Sequence, residues 1–172
     1  SYTAQEGTIG KPVAPNYERT TVRINSEHTL VKRNNLDIIK LGENINFNYA
    51  DRRGIAIGNM DSNTIYRLLN AYPIFDVYDE NGDYTKAIPY DSRRANPIGI
   101  MEYEHGQNNT KTYGLNANAY LLIEPIKDLK VKSSFGVRYY SNNYRRVVPT
   151  YNWASNNFRN ENEVQQRMTT RM

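Results

Sequence analysis

The chain has 172 residues, enough for one ordinary domain, and a formal net charge of +4 carried by scattered basic residues. Its hydrophobic content of 38% and mean hydropathy of -0.79 are lean for a compact soluble core, yet 15 tyrosines and 12% aromatics are too many for a disordered segment. The basic pairs Arg52-Arg53, Arg93-Arg94 and Arg145-Arg146 stand apart and form no nucleic-acid-binding stripe. The chain has no cysteine, which excludes a disulfide scaffold and thiolate metal sites. No apolar run is long enough for a membrane-spanning helix, but a membrane strand needs only about 9–11 alternating residues.

Residues 1–16 contain two Gly and two Pro and show no periodicity, so they read as loop. Tyr17 to Val31 predicts a strand, with Thr20, Val22, Ile24 and Leu30 on one parity and Arg19, Thr21, Arg23, Asn25 and Glu27 on the other. Asn34-Asn35 suits a tight turn. Leu36 to Tyr49 predicts a second strand. Ile39, Leu41, Ile45, Phe47 and Tyr49 alternate there with Lys40, Gly42, Asn44, Asn46 and Asn48, and Glu43 is the polar residue on the oily parity. A lipid-facing Glu43 near an interface and a bulge turning it inward are both open.

A long insertion, about 50–109, follows, and such length usually marks function. Within it, Asp61 or Ser62 can cap a short helix over Thr64 to Ala71, ended by Pro73. Ile74 to Tyr78 and Tyr84 to Ile88 flank Glu80-Asn81-Gly82-Asp83, a hairpin signal. Asn96-Pro97 opens a short apolar stretch to Met101. Two further alternating segments, about 110–124 and 129–140, are joined by a turn at 125–128. Tyr113, Leu115, Ala117, Ala119, Leu121 and Ile123 share one face of the first; Leu129, Val131, Phe135, Val137 and Tyr139 share one face of the second. The tail, 141–172, is polar around Tyr151 and Trp153.

The short turns at 32–35 and 125–128 must lie at one end of an up-and-down sheet, and 1–16, 50–109 and 141–172 at the other. That is the asymmetry of an outer-membrane barrel. Tyr17, Phe47, Tyr49, Tyr113, Tyr139 and Tyr140 gather at the long-loop end, as an interfacial aromatic girdle does. A soluble sheet with one wet face explains the alternation but not this sorting.

Five stretches in order, YERTTVRIN (17–25), IIKLGENINFNY (38–49), YPIFDVYDENGDY (72–84), RANPIG (94–99) and NANAYLLIEPIKDLKVKSSFGVRY (116–139), resemble SusC/RagA-type TonB-dependent outer-membrane transporters of Bacteroidetes-type bacteria. Members of that family carry a plug domain and a barrel of 22 strands. The resemblance therefore implies an all-β segment of four antiparallel strands with one short helix in a loop, part of a large transmembrane barrel, with 50–109 extracellular. It also implies a place in the outer membrane of a Gram-negative cell. The family imports large nutrients, oligosaccharides or peptides, under a SusD-like surface lipoprotein and with energy delivered through TonB. The resemblance places the 50–109 loop near lid or ligand. Sugars stack on rings and hydrogen-bond to polar side chains, so Tyr78, Tyr84, Tyr90, Arg93, Tyr151 and Trp153 are the candidate ligand-binding residues. The alternative is that the tyrosines only pack the loop.

Asp76, Asp79, Asn81 and Asp83 do not have the spacing of a calcium loop and read as a solvated turn. His28 and His105 are far apart, with no cysteine to join them. No acid–base or nucleophile constellation is present, so neither catalysis nor a cofactor is expected. A soluble β-rich carbohydrate-binding or interaction module is the competing reading, and an enzyme fragment the weakest.

Overall fold

The computed structural model describes residues 1–7, 13–33, 36–55, 63–74, 76–86, 96–154 and 157–172. Its framework is one antiparallel sheet of six strands in the order β1-β2-β3-β4-β5-β8. These are β1 (Tyr2–Glu6), β2 (Asn16–Arg33), β3 (Leu36–Arg53), β4 (Asn109–Ile126), β5 (Leu129–Val148) and β8 (Glu163–Arg171). Two helices, α1 (Thr64–Leu69) and α2 (Pro97–His105), lie between β3 and β4, and a small hairpin of β6 (Tyr151–Ala154) and β7 (Asn157–Arg159) precedes β8. The four strands expected from alternation are present and neighbour one another in chain order. Each runs on past the point where its alternation stops.

Cross-strand pairing stacks the apolar parities into rungs. Val22, Phe47, Leu115 and Tyr139 form one rung, and Ile24, Ile45, Ala117 and Val137 the next. The band is bounded below by Val31, Ile39, Ile123 and Val131. From Tyr113 to Ile123 it has the length a tilted strand needs to cross hydrocarbon. Nothing among the described residues covers it: Phe135 is 72% exposed, Ile24 49% and Val137 46%. The opposite face is polar, with Arg23, Asn46, Asn116 and Arg138 on one rung.

Three sequence readings sharpen here. The pairing slips between Thr29 and Val31, so Leu30 is the extra residue of a bulge and Val31 takes the apolar parity beside Ile39. At Glu43 there is no bulge. It sits on the apolar face between Ser26 and Ala119, and Ser26 Oγ donates to its Oε1 at 3.0 Å. The tyrosine girdle divides. Tyr49 and Tyr113 pair on the apolar face with ring centroids 5.1 Å apart, and Tyr139 shares that face one rung below. Tyr17 and Tyr140 fall on the odd rungs and point to the wet side, because side chains alternate along a strand.

The β4–β5 turn is closed by Asp128, whose φ is 71°, with its N–H donating to Glu124 Oε1 at 3.1 Å. The Asn34-Asn35 turn lies outside the described residues, but Arg33 pairs with Leu36 at the same end of the sheet. Strands β1 and β8 had read as loop and tail. They pair only with Asn16–Thr20 and Tyr140–Val148, at the long-loop end. They lie at or beyond the edge of the apolar band, so no apolar alternation marks them. The sheet is open, and β1 and β8 are its edges.

Candidate functional site: a folded lobe at the long-loop end

The insertion and the tail fold together. Hairpin 77–85 closes on the bridge between Tyr78 and Tyr84. Gly82, at φ 84°, supplies the left-handed turn residue. Asp79 Oδ1 accepts from the backbone N–H groups of Asn81 and Asp83 at 2.9 and 3.0 Å, so this carboxylate closes the turn itself. Helix α1 is capped by Asn63, whose side chain accepts from Tyr66 N–H at 3.1 Å. The expected caps Asp61 and Ser62 lie outside the described residues, and the residue abutting Thr64 does the capping. The helix ends at Leu69, before Ala71. There Asn70 turns its side chain back, and Nδ2 donates to Tyr66 O at 2.8 Å.

Helix α2 was legible only as an apolar stretch. Asn96 before Pro97 is a helix start: the side chain accepts from Ile98 and Gly99 N–H while proline fixes the first φ. Asn96 is 1% exposed and also donates from Nδ2 to Val77 O at 2.7 Å, joining hairpin to helix.

Aromatic packing completes the lobe. Tyr78 stacks on Tyr84 at 5.1 Å, Tyr84 meets Trp153 edge-on at 5.9 Å, and Tyr151 stacks on Trp153 at 4.5 Å. Tyr103, absent from the candidates, stands edge-on to Tyr84, Tyr151 and Trp153. Its signal was available only once α2 was recognised. Gly99 makes the approach possible, since a Cβ there would lie 3.0 Å from Tyr84 Cγ and 3.2 Å from the Trp153 ring. Tyr84 O–H donates to Glu102 and Tyr151 O–H to Glu104 at 2.6 Å. Burial, reinforced by these carboxylates, raises both phenols, Tyr151 to about 12. Both therefore remain donors at any physiological pH.

Of the six candidates, the structure brings Tyr78, Tyr84, Tyr151 and Trp153 into one cluster. Tyr90 and Arg93 lie outside the described residues. Tyr151 and Trp153 are buried against Ile100 and Val148, so their ring faces are covered by the lobe. Tyr78 is 53% exposed and, with Tyr84, lines a cavity of about 830 Å³ together with Val13, Arg53 and Glu102. A second cavity, about 480 Å³, opens where the lobe leans over the wet face; Arg52, Arg67, Arg146, Glu104 and His105 line it. Burial, with the nearby guanidiniums, holds the His105 imidazole below its usual range against the opposing pull of Glu104. His28 is far away, opposite Leu41 on the apolar face. Among the described residues no cluster of His, Asp or Glu could hold a metal ion, and no helix is long and apolar enough to cross a membrane.

The chain is similar to a solved structure of the RagAB peptide importer in its open-open state, with a TM-score of 0.63 and 23% identity. The match covers 90% of this chain and 17% of that one. The fold is shared. This chain is a β-barrel segment of antiparallel strands, not a closed barrel. No family model and no curated protein sequence matches it.

Proposed function

We propose that this chain is wall and mouth of a TonB-dependent transporter barrel in the outer membrane of a Gram-negative, Bacteroidetes-type cell, importing oligosaccharides or peptides. The observation that carries this reading is the uncovered apolar band. It has membrane-crossing length, tyrosines edge its long-loop end, and a folded lobe stands above that end while the β4–β5 turn closes the other. The match to a peptide importer along nearly the whole chain supports it. Lipid covers the band, further strands pair with β1 and β8, and the lobe faces outside. The exposed tip of hairpin 77–85 is where a SusD-like lipoprotein meets it. Tyr78 and Tyr84 face solute. Energy reaches the solute through TonB and parts of the transporter beyond this sheet. The chain itself supplies no catalytic chemistry and binds no cofactor.

Orientation is testable in the intact transporter by single cysteines placed in this chain, which has none of its own, with the unsubstituted transporter as the labelling control. Asn81→Cys should react with a membrane-impermeant maleimide on whole cells, and Asp128→Cys only after the outer membrane is opened. The reverse pattern, or recovery of the protein in the soluble fraction, overturns the reading.

A further inference from the structure

Two of the three arginine pairs that stand apart in the sequence meet in the fold. Arg52 on β3 and Arg146 on β5 both lie on the wet parity and border the same 480 Å³ cavity as Arg67 of α1. Among the described lining residues the only carboxylate beside Arg52 and Arg146 is Glu104, and it already accepts the Tyr151 hydroxyl. Arg146 Nε is shielded from solvent and has no acceptor among the described residues. A buried N–H donor on a cation is costly to leave unpaired. The basic character continues down the wet face. A cavity of about 850 Å³ shares Thr110 and Tyr144 with the first and is lined by Arg138, Arg167 and Arg171, with no Asp or Glu among its described residues. Tyr140 pairs with Arg171 and Tyr144 with Arg167, so rings and guanidiniums alternate across β5 and β8.

We propose that this arginine-lined mouth is an anion subsite that takes a carboxylate of the solute, with Arg52 and Arg146 as its ligands and the Arg138–Arg171 region as its continuation inward. The proposal rests on the transporter reading above. Guanidinium forks match carboxylates in a bidentate way, and a half-enclosed cavity strengthens the pairing relative to open water. Neutral solutes gain nothing there.

The experiment compares matched probes on the intact transporter in detergent by titration calorimetry: N-acetylated, C-amidated tetraglutamate against equally capped tetraglutamine, and tetragalacturonate against its methyl ester. The acidic member of at least one pair should bind about tenfold more tightly than its neutral partner, as expected for one charge-assisted contact to a paired site. Preference in the peptide pair alone identifies the carboxylate source as peptide, in the glycan pair alone as uronate, and in both as any carboxylate. Arg146→Gln and Arg52→Gln should each abolish most of the preference, and Arg146→Lys should restore part of it. If the glutamine variants fail to assemble, the wild-type preference must still shrink as salt is raised. Equal binding of acidic and neutral probes, a preference insensitive to salt, or no binding of either acidic probe overturns the subsite. Undiminished uptake of neutral solute in that case leaves the transporter reading standing; failure of all uptake and surface labelling removes the transporter reading instead.

Discussion

The sheet and the lobe obey opposite rules of burial. Every buried apolar side chain among the described residues lies in the lobe, in the loop before β2 or at the last residue of β5, which packs on the lobe: Val13, Ile100, Met101, Val148, Tyr151 and Trp153. The sheet is larger and more regular, yet it leaves Val22, Ile24, Phe135 and Val137 open. A soluble sheet of this size covers one face with a second layer. Here the apolar face is uncovered while a small aromatic core forms beside it. The chain builds a core in the lobe and leaves the apolar residues of the sheet open, the arrangement expected if lipid covers them.

That contrast can be broken at either end. The largest effect is expected in the lobe. Trp153→Ala removes the ring that Tyr84, Tyr103 and Tyr151 all pack on, and should cost the lobe about 3–5 kcal/mol. Limited proteolysis of the intact transporter should then cut between residues 63 and 105 while heat-modifiable gel mobility of the barrel is unchanged. Loss of the barrel as well would show that sheet and lobe are one cooperative unit. In the sheet, Val137→Arg should cost about 2–4 kcal/mol if the residue meets the middle of the bilayer. Assembly yield in the outer membrane reports it, and an undiminished yield would remove lipid from that face. The smallest effect is a pH dependence confined to the lobe. Folding lowers the His105 pKa, so the neutral ring is the form the fold prefers. The stabilisation is complete above the unfolded value near 6.5 and is lost as pH falls through that value towards the folded one, because the unfolded state then binds the proton first. Protease resistance of the lobe should decline below about pH 6.5, and His105→Gln should flatten that decline. An unaltered pH profile in the variant would assign the effect elsewhere.

What could be read from sequence follows the same division. Strands β2 to β5 announce themselves because one face must be apolar and the other wet, and that demand writes a period of two into Ile39–Tyr49 and Tyr113–Ile123. Strands β1 and β8 answer to no such demand, and EVQQRMTTR carries no trace of its partner. The lobe is non-local. Asn96 reaches Val77, and Tyr84 reaches Trp153, through contacts that no local window contains. For Glu43 the register, with Ser26 opposite it, removes the bulge and places the carboxylate in the middle of the apolar band, not near its edge as the first alternative had it. The same holds for Arg52 and Arg146: scattered in the chain, neighbours in space.

One wet-face contact bears on how such a wall is assembled. Tyr120 lies flat across Gly42, where a Cβ would meet the ring at 2.2 Å, and its hydroxyl donates to Glu27 Oε2 at 2.5 Å. Lys132 stands over the same ring at 4.1 Å. Above that point the wet face repeats itself, with Asn44 and Asn118, then Asn46 and Asn116, on successive rungs. A slip of two residues in either direction would still set asparagine against asparagine on at least one rung and leave the apolar parity apolar. It would not leave Tyr120 over a glycine. One ring thus works as an indexing pin for three strands, holding a repetitive wall to a single alignment while its strands are still zipping together.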